Sequence, residues 1–240
     1  MIKNKISPYI NIVNILIIIN IVVFIVSNIV DLRSLFALYF PKNINFHLWQ
    51  FFSHLFMHGG ITHLLFNMFA LWMFATPLEK ILRKKYFLFF YFACGVGGSL
   101  IYTAINLYQF NGVEQLLINA HFTSQDIQTM LDHGQYPPSI LSEAQAKTLL
   151  SLYLIPTVGA SGAIYGILVV YAFIFPNNKL LFLFFPVPIA AKYFIPALLT
   201  FDLFSGITNI SLFGDGIAHF AHIGGAIIGF LFVLYWLRKH

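Results

Sequence analysis

The chain is 240 residues long, 59% hydrophobic and only 9% charged, with a mean hydropathy of +0.82 and a formal net charge of +5. Soluble domains carry about a quarter of their residues as charge, so this balance excludes a water-soluble globular protein and leaves room for several bilayer crossings. The basic excess could suggest nucleic acid, but Lys and Arg fall mostly at the ends of apolar runs, where topology signals sit, and form no single patch, so no nucleic-acid partner is expected. The one cysteine, Cys94, permits no internal disulfide.

A hydrocarbon core takes about 20 apolar residues per helix. Residues 10–30, 60–79, 86–108, 159–176, 192–212 and 218–237 satisfy this. The sequence therefore predicts an all-α polytopic membrane protein, a bundle of six transmembrane helices forming one domain over residues 1–240. The first run is longer than a signal-peptide core and has no small-x-small cleavage site after it, so it is expected as a retained helix. Its Asn11, Asn14 and Asn20 are expected to face other helices, since lipid offers an amide no partner. Residues 192–212 are the least clean span, with Asp202, Gly206 and Asn209 inside it.

The connections are equally informative. Residues 31–59 are too aromatic for a solvated loop and are expected to lie partly in the membrane interface, where Trp and Tyr settle. Residues 109–150 read as a polar external insertion. Two short surface helices are expected there, starting at Thr123-Ser124-Gln125-Asp126 and Ser142-Glu143-Ala144-Gln145, which have the makings of capping boxes. Residues 177–191 read as an apolar cytoplasmic connection. With the N-terminus inside, Lys3, Lys5, Lys80, Arg83, Lys84, Lys85, Lys179, Lys192, Arg238 and Lys239 are cytoplasmic, against Arg33, Lys42 and Lys147 on the other side. This positive-inside bias places both termini in the cytoplasm and fits a bacterial inner membrane.

Two segments carry chemistry: Gly159-Ala160-Ser161-Gly162 and Ala221-His222-Ile223-Gly224-Gly225. Pro156 and Gly159 disfavour helix before Ser161, and an apolar helix follows it. Ser161 is thus expected near a helix N-terminus, where free backbone N–H groups stabilise an anion. The soluble-hydrolase elbow needs glycine two residues after its serine; here that residue is Ala163, which excludes that fold. Alone, Ser161 reads as a small packing residue. His222 changes the reading, because an ionisable group at membrane depth needs a partner. Gly162/Gly166 and Gly225/Gly229 are each four apart and let two helices approach closely. The serine and histidine could then meet as nucleophile and general base. Tyr165, one turn after Ser161, could stack on the His222 ring, and His219 is expected to line the cavity.

His63 and Asn67 share one helix face. Both can donate hydrogen bonds, and with the Ser161 N–H they would form an oxyanion hole; one such donor is worth about 3–4 kcal/mol in a transition state. His54 and His58 are spaced as two zinc ligands would be. However, no His-Glu-x-x-His motif and no nearby carboxylate completes a site, so no metal and no other cofactor is expected.

Taken together, these elements resemble the rhomboid family of intramembrane serine proteases. The resemblance rests on His54-x-x-x-His58, His63-x-x-x-Asn67, Gly159-x-Ser161-Gly162 with Tyr165, and Ala221-His222-x-Gly224-Gly225, in family order from Trp49 to Gly229. It implies a six-helix core and a Ser–His dyad with no acidic third member. Ser161 would be the nucleophile, His222 the base, Tyr165 the stacking ring, and His63 and Asn67 the oxyanion donors. Glu79 matches a position that anchors its region. One departure is Trp49-Gln50, where members often have Trp-Arg; any salt bridge made by that arginine is absent. The implied substrates are membrane proteins with a labile transmembrane helix, cut within the lipid bilayer through an acyl-enzyme.

Overall fold

A computed structural model describes residues 11–182, 185–208 and 217–237. Lys3, Lys5, Asn209, Arg238 and Lys239, which figure in the topology expected above, lie outside the described residues.

Helix α1 (Ile12–Ser27) is followed by two single turns, α2 (Arg33–Phe36) and α3 (Gln50–Ser53), and a tighter turn at His54–Phe56. Helix α4 (Ile61–Ala70) passes through a π turn at Leu71–Ala75 into α5 (Thr76–Leu82). Next come α6 (Lys84–Asn119), α7 (Ser124–Asp132), α8 (Glu143–Leu154) and α9 (Ser161–Ile174). A two-stranded antiparallel hairpin, β1 (Lys179–Phe182) and β2 (Phe185–Ala190), precedes α10 (Ala191–Thr208) and α11 (His219–Leu237). Each of the six expected spans holds a helix. Ile61–Leu82, Lys84–Asn119 and His219–Trp236 are long and apolar enough to cross a membrane; α1 and α9 are shorter apolar helices. The bundle exposes Ile18, Ile25, Phe66, Phe69, Phe89 and Ile207, an apolar exterior suited to lipid and costly in water.

The centre of the bundle is a seam where α6, α9 and α11 touch backbone to backbone. A Cβ on Gly98 would lie 2.6 Å from the Ala221 carbonyl, and one on Gly229 would lie 2.5 Å from the Gly166 carbonyl. A Cβ on Gly225 would be driven into the Gly162 carbonyl. Helices in lipid gain little from burying apolar surface against each other and rely on such close approach. The two glycine pairs expected to face each other do so in register, Gly162 on Gly225 and Gly166 on Gly229.

Around this seam, Leu71, Leu78, Phe87, Phe90, Tyr91 and Ile167 form the buried core. The N-terminus of α1 is tied to it by Glu79, whose carboxylate accepts from the Ile12 N–H (2.8 Å) and the Val13 N–H (3.1 Å). This is the anchoring that the resemblance implies for Glu79. Asn11 caps the same helix through the Asn14 N–H, and Asn20 is fully buried.

The structure differs from the sequence reading in two places. Helix α6 does not stop near residue 108. It has 36 residues and is about 54 Å long at about 1.5 Å per residue, well beyond a hydrocarbon core of about 30 Å. Its distal part packs Phe110 and Leu117 against Ile127, Leu131, Leu149 and Tyr153 of α7 and α8, a second core separate from the first. The two capping boxes form as expected, Thr123 with Asp126 and Ser142 with Gln145. A hydrogen bond from the Tyr153 hydroxyl (2.6 Å), with one from Gln128, holds the Asp132 carboxyl below its usual range. The second difference is the hairpin, which occupies the apolar connection at residues 177–191, where no strands are expected.

Candidate active site

Ser161 is the first residue of α9, after Ala160. Gly159 has φ +122°, a conformation that suits glycine. Its N–H donates to the His54 carbonyl (3.0 Å), and Thr157 pairs with Leu38 through two backbone hydrogen bonds of 2.9 and 2.8 Å. The chain thus enters the helix along a fixed path, and the first N–H groups of α9 have no intrahelical acceptor.

His222 lies in the first turn of α11 and is buried. Its Nε2 is 2.7 Å from Ser161 Oγ. The Tyr165 ring stacks on the imidazole, with centroids 4.2 Å apart and planes 15° from parallel. The glycine contacts set this meeting, because Gly162 and Gly225 each follow their functional residue closely and bring the two backbones together.

On the other side of the ring, His222 Nδ1 is 2.7 Å from Asp202 Oδ2. Asp202 is a buried residue of α10, and its second oxygen, Oδ1, contacts His219 Nδ1. Gly206 admits this arrangement, since a Cβ there would lie 3.1 Å from the His219 Cβ. His219, expected to line the cavity, thus pairs with Asp202. Among the described residues, Asp202, His219 and His222 also form a group whose ligand atoms lie within 4.8 Å of one another. Both carboxylate oxygens and both Nδ1 atoms are already taken up in pairing.

His63 sits across Gly159 from the serine. A Cβ on Gly159 would lie 2.8 Å from His63 Nε2 and 3.8 Å from Ser161 Oγ, so both side chains border the space that the missing side chain leaves. Asn67 is buried; its Nδ2 donates to the His63 carbonyl (2.9 Å). His58 is buried edge-on to His63, with centroids 5.1 Å apart. His54 Nδ1 is 2.8 Å from the Gln50 carbonyl, one turn earlier in the chain.

A family model described as the rhomboid domain matches residues 45–239. The chain belongs to the rhomboid family. Its helices and this membership make it an integral membrane protein. It is 27% identical over 181 residues to "Rhomboid protein 1, mitochondrial" of Saccharomyces cerevisiae, covering 75% of this chain and 39% of that protein. It is 25% identical over 182 residues to "Rhomboid protease GluP" of Bacillus subtilis, covering 76% of this chain and 25% of that protein. To "Rhomboid protease GlpG" of an Enterobacter species it is 36% identical over 63 residues, 25% of this chain and 23% of that protein. The rhomboid chain described here thus spans two-fifths or less of the length of these relatives.

Two residues of this rhomboid chain escaped the sequence reading, one at the site and one in the segment before α4. Asp202 reads there as a blemish in a span, although the rule that a membrane carboxylate needs a partner pointed to the nearby histidines. Gln50 reads only as a missing charge. In the structure it is fully buried and cross-links the interfacial segment. Its Oε1 accepts from the Tyr39 and His47 N–H groups (both 3.2 Å), and its Nε2 donates to the Asn45 carbonyl (2.8 Å) and the Leu35 carbonyl (3.4 Å). A neutral amide with two donors and two acceptor sites ties this segment down without an ion pair.

Proposed function

We propose that this protein is an intramembrane serine protease that hydrolyses peptide bonds in or near the transmembrane segments of other membrane proteins. The observation that carries the reading is the 2.7 Å approach of His222 Nε2 to Ser161 Oγ under a stacked Tyr165. Membership of the rhomboid family, which includes intramembrane serine proteases, supports it.

In this mechanism Ser161 attacks the scissile carbonyl while His222 takes its proton. The resulting oxyanion is met by the Ser161 N–H, His63 and Asn67. His222 then protonates the leaving amine. A water activated by the same imidazole hydrolyses the acyl-enzyme. Tyr165 holds the ring, Gly162 lets α9 and α11 meet, Gly159 leaves space beside His63, and His58 packs edge-on against His63. No cofactor takes part. A substrate helix hides its carbonyls in its own hydrogen bonds, so the substrates are membrane proteins whose transmembrane helix unwinds easily, with Gly, Pro or other weak helix formers near the cut.

The site belongs to a six-span bundle with both termini in the cytoplasm of a bacterial cell, and it opens to the external side, where the 109–150 insertion lies. Cleavage of a panel of transmembrane reporters by wild type and Ser161→Ala in proteoliposomes tests the activity. Wild type cuts a reporter and the variant does not. A variant that still cuts rejects the assignment.

A further inference from the structure

We infer that Asp202 completes a Ser–His–Asp relay and acts as the positioning residue that fixes the tautomer of His222. The inference rests on the protease reading above and goes beyond the two-residue machinery that the family resemblance implies.

A neutral imidazole has one N–H and one lone pair, and an ionised carboxylate only accepts. Asp202 Oδ2 lies 2.7 Å from His222 Nδ1, so the shared proton belongs on Nδ1. Nε2 is then left with its lone pair, and it is the atom that faces the Ser161 hydroxyl at 2.7 Å. This is the only tautomer that can take the serine proton. Without an acceptor at Nδ1, the two tautomers would be closer in population, and the one protonated at Nε2 cannot act as a base.

The same carboxylate becomes more useful as the reaction proceeds. When the serine proton moves to Nε2, His222 turns positive in a site that excludes much of the water. A negative charge directly against Nδ1 stabilises that state more than the resting one, which is the condition for catalysis. Asp202 keeps its own proton affinity out of the reaction, because each oxygen already has an N–H partner: His222 on Oδ2 and His219 on Oδ1. His219 thereby aims the carboxylate, and Tyr165 closes the opposite face of the ring. The His222 ring is thus held at an edge, at the other edge and on a face, by residues from α10 and α9.

A merely structural role, gluing α10 to α11, would also bury such a cluster. The two roles part in kinetics and in spectroscopy. Asp202→Asn keeps the shape and removes the charge. In full-length protein in proteoliposomes, kcat per folded molecule falls by about 10² to 10⁴-fold, the order seen when a buried triad aspartate becomes asparagine, and KM for the reporter changes by less than about threefold. Asp202→Glu restores at least about a tenth of the lost rate. Ser161→Ala and His222→Ala run alongside: if those cut, the protease reading itself fails. If they are dead while Asp202→Asn keeps kcat within about threefold of wild type, the relay alone is overturned.

The second measurement needs no variant at Asp202. In Ser161→Ala protein labelled with ¹⁵N-histidine, His222 shows its proton on Nδ1, with a strongly downfield resonance. A spectrum that places the proton on Nε2 overturns the inference, and it decides the matter alone if Asp202→Asn does not fold.

Discussion

The glycine seam of α6, α9 and α11 and the distal core of α6, α7 and α8 solve the same problem by opposite means. In the seam, the helices come so close that a Cβ added to Gly98, Gly225 or Gly229 would meet the backbone of the facing helix. In the distal core, Phe110, Leu117, Leu149 and Tyr153 fill the space between helices. On the proposed topology, which puts the seam in lipid and the distal core in water, the difference follows from the solvent. Lipid gives no reward for hiding apolar surface, so helices there are held by close packing, whereas water rewards about 25 cal/mol for each Å² of apolar surface removed. Ser161 and His222, the proposed catalytic pair, sit on the seam, where position is fixed by backbone contact and tolerance is least.

Substitutions should separate the two regions sharply. Gly225→Ala puts a methyl into the Gly162 carbonyl, costs about 3 kcal/mol or more by overpacking, and shifts α11 against α9. Because about 1 Å of misplacement costs about 10²-fold in rate, reporter cleavage should fall at least that far even in folded protein. Leu149→Ala, in the distal core where Leu149 is fully buried, costs about 2–4 kcal/mol. Its effect should be local: limited proteolysis cuts residues 120–154 faster, while cleavage by the surviving folded molecules stays within about threefold of wild type. Equal loss of cleavage in both variants would erase the distinction drawn here.

A third region joins these two. Gln50→Ala leaves the hydrogen-bonding groups of Tyr39, His47, Asn45 and Leu35 without their partner and should lower thermal stability in detergent by about 2–3 kcal/mol, with hydrogen exchange rising across residues 35–50. The smallest effect belongs to Lys42→Ala. The Lys42–Glu114 ion pair, 2.5 Å long with the lysine side chain 40% exposed, ties the interfacial segment to distal α6 at the surface. Its loss should cost no more than about 0.5 kcal/mol, measured by the same unfolding assay.

Much of the bundle is legible from apolar runs, because a bilayer imposes one length and one composition on every crossing. The register of the seam is legible too, since glycines four apart have few other uses in a lipid-embedded helix. The end of α6 is lost to hydropathy, because Gln109, Asn111 and Glu114 make the segment look like a loop. Phe110, Val113 and Leu117 recur at helical spacing, however, and all pack into the distal core. The hairpin is masked by Pro186 and Pro188, residues that argue against a central strand but are tolerated at an edge. At the site, serine, histidine and tyrosine are readable from spacing and small neighbours. Asp202 is legible only as a membrane carboxylate in need of a partner; its partners lie 17 and 20 residues downstream, and the fold shows that they are His219 and His222.

The central claim is that Ser161 is a nucleophile activated by His222. Treating the membrane-embedded protein with a fluorophosphonate and locating the adduct by peptide mass spectrometry tests it most directly. One adduct is expected, on Ser161, and it disappears in His222→Ala. An adduct elsewhere, no adduct, or labelling of Ser161 that continues unchanged without His222 would contradict it.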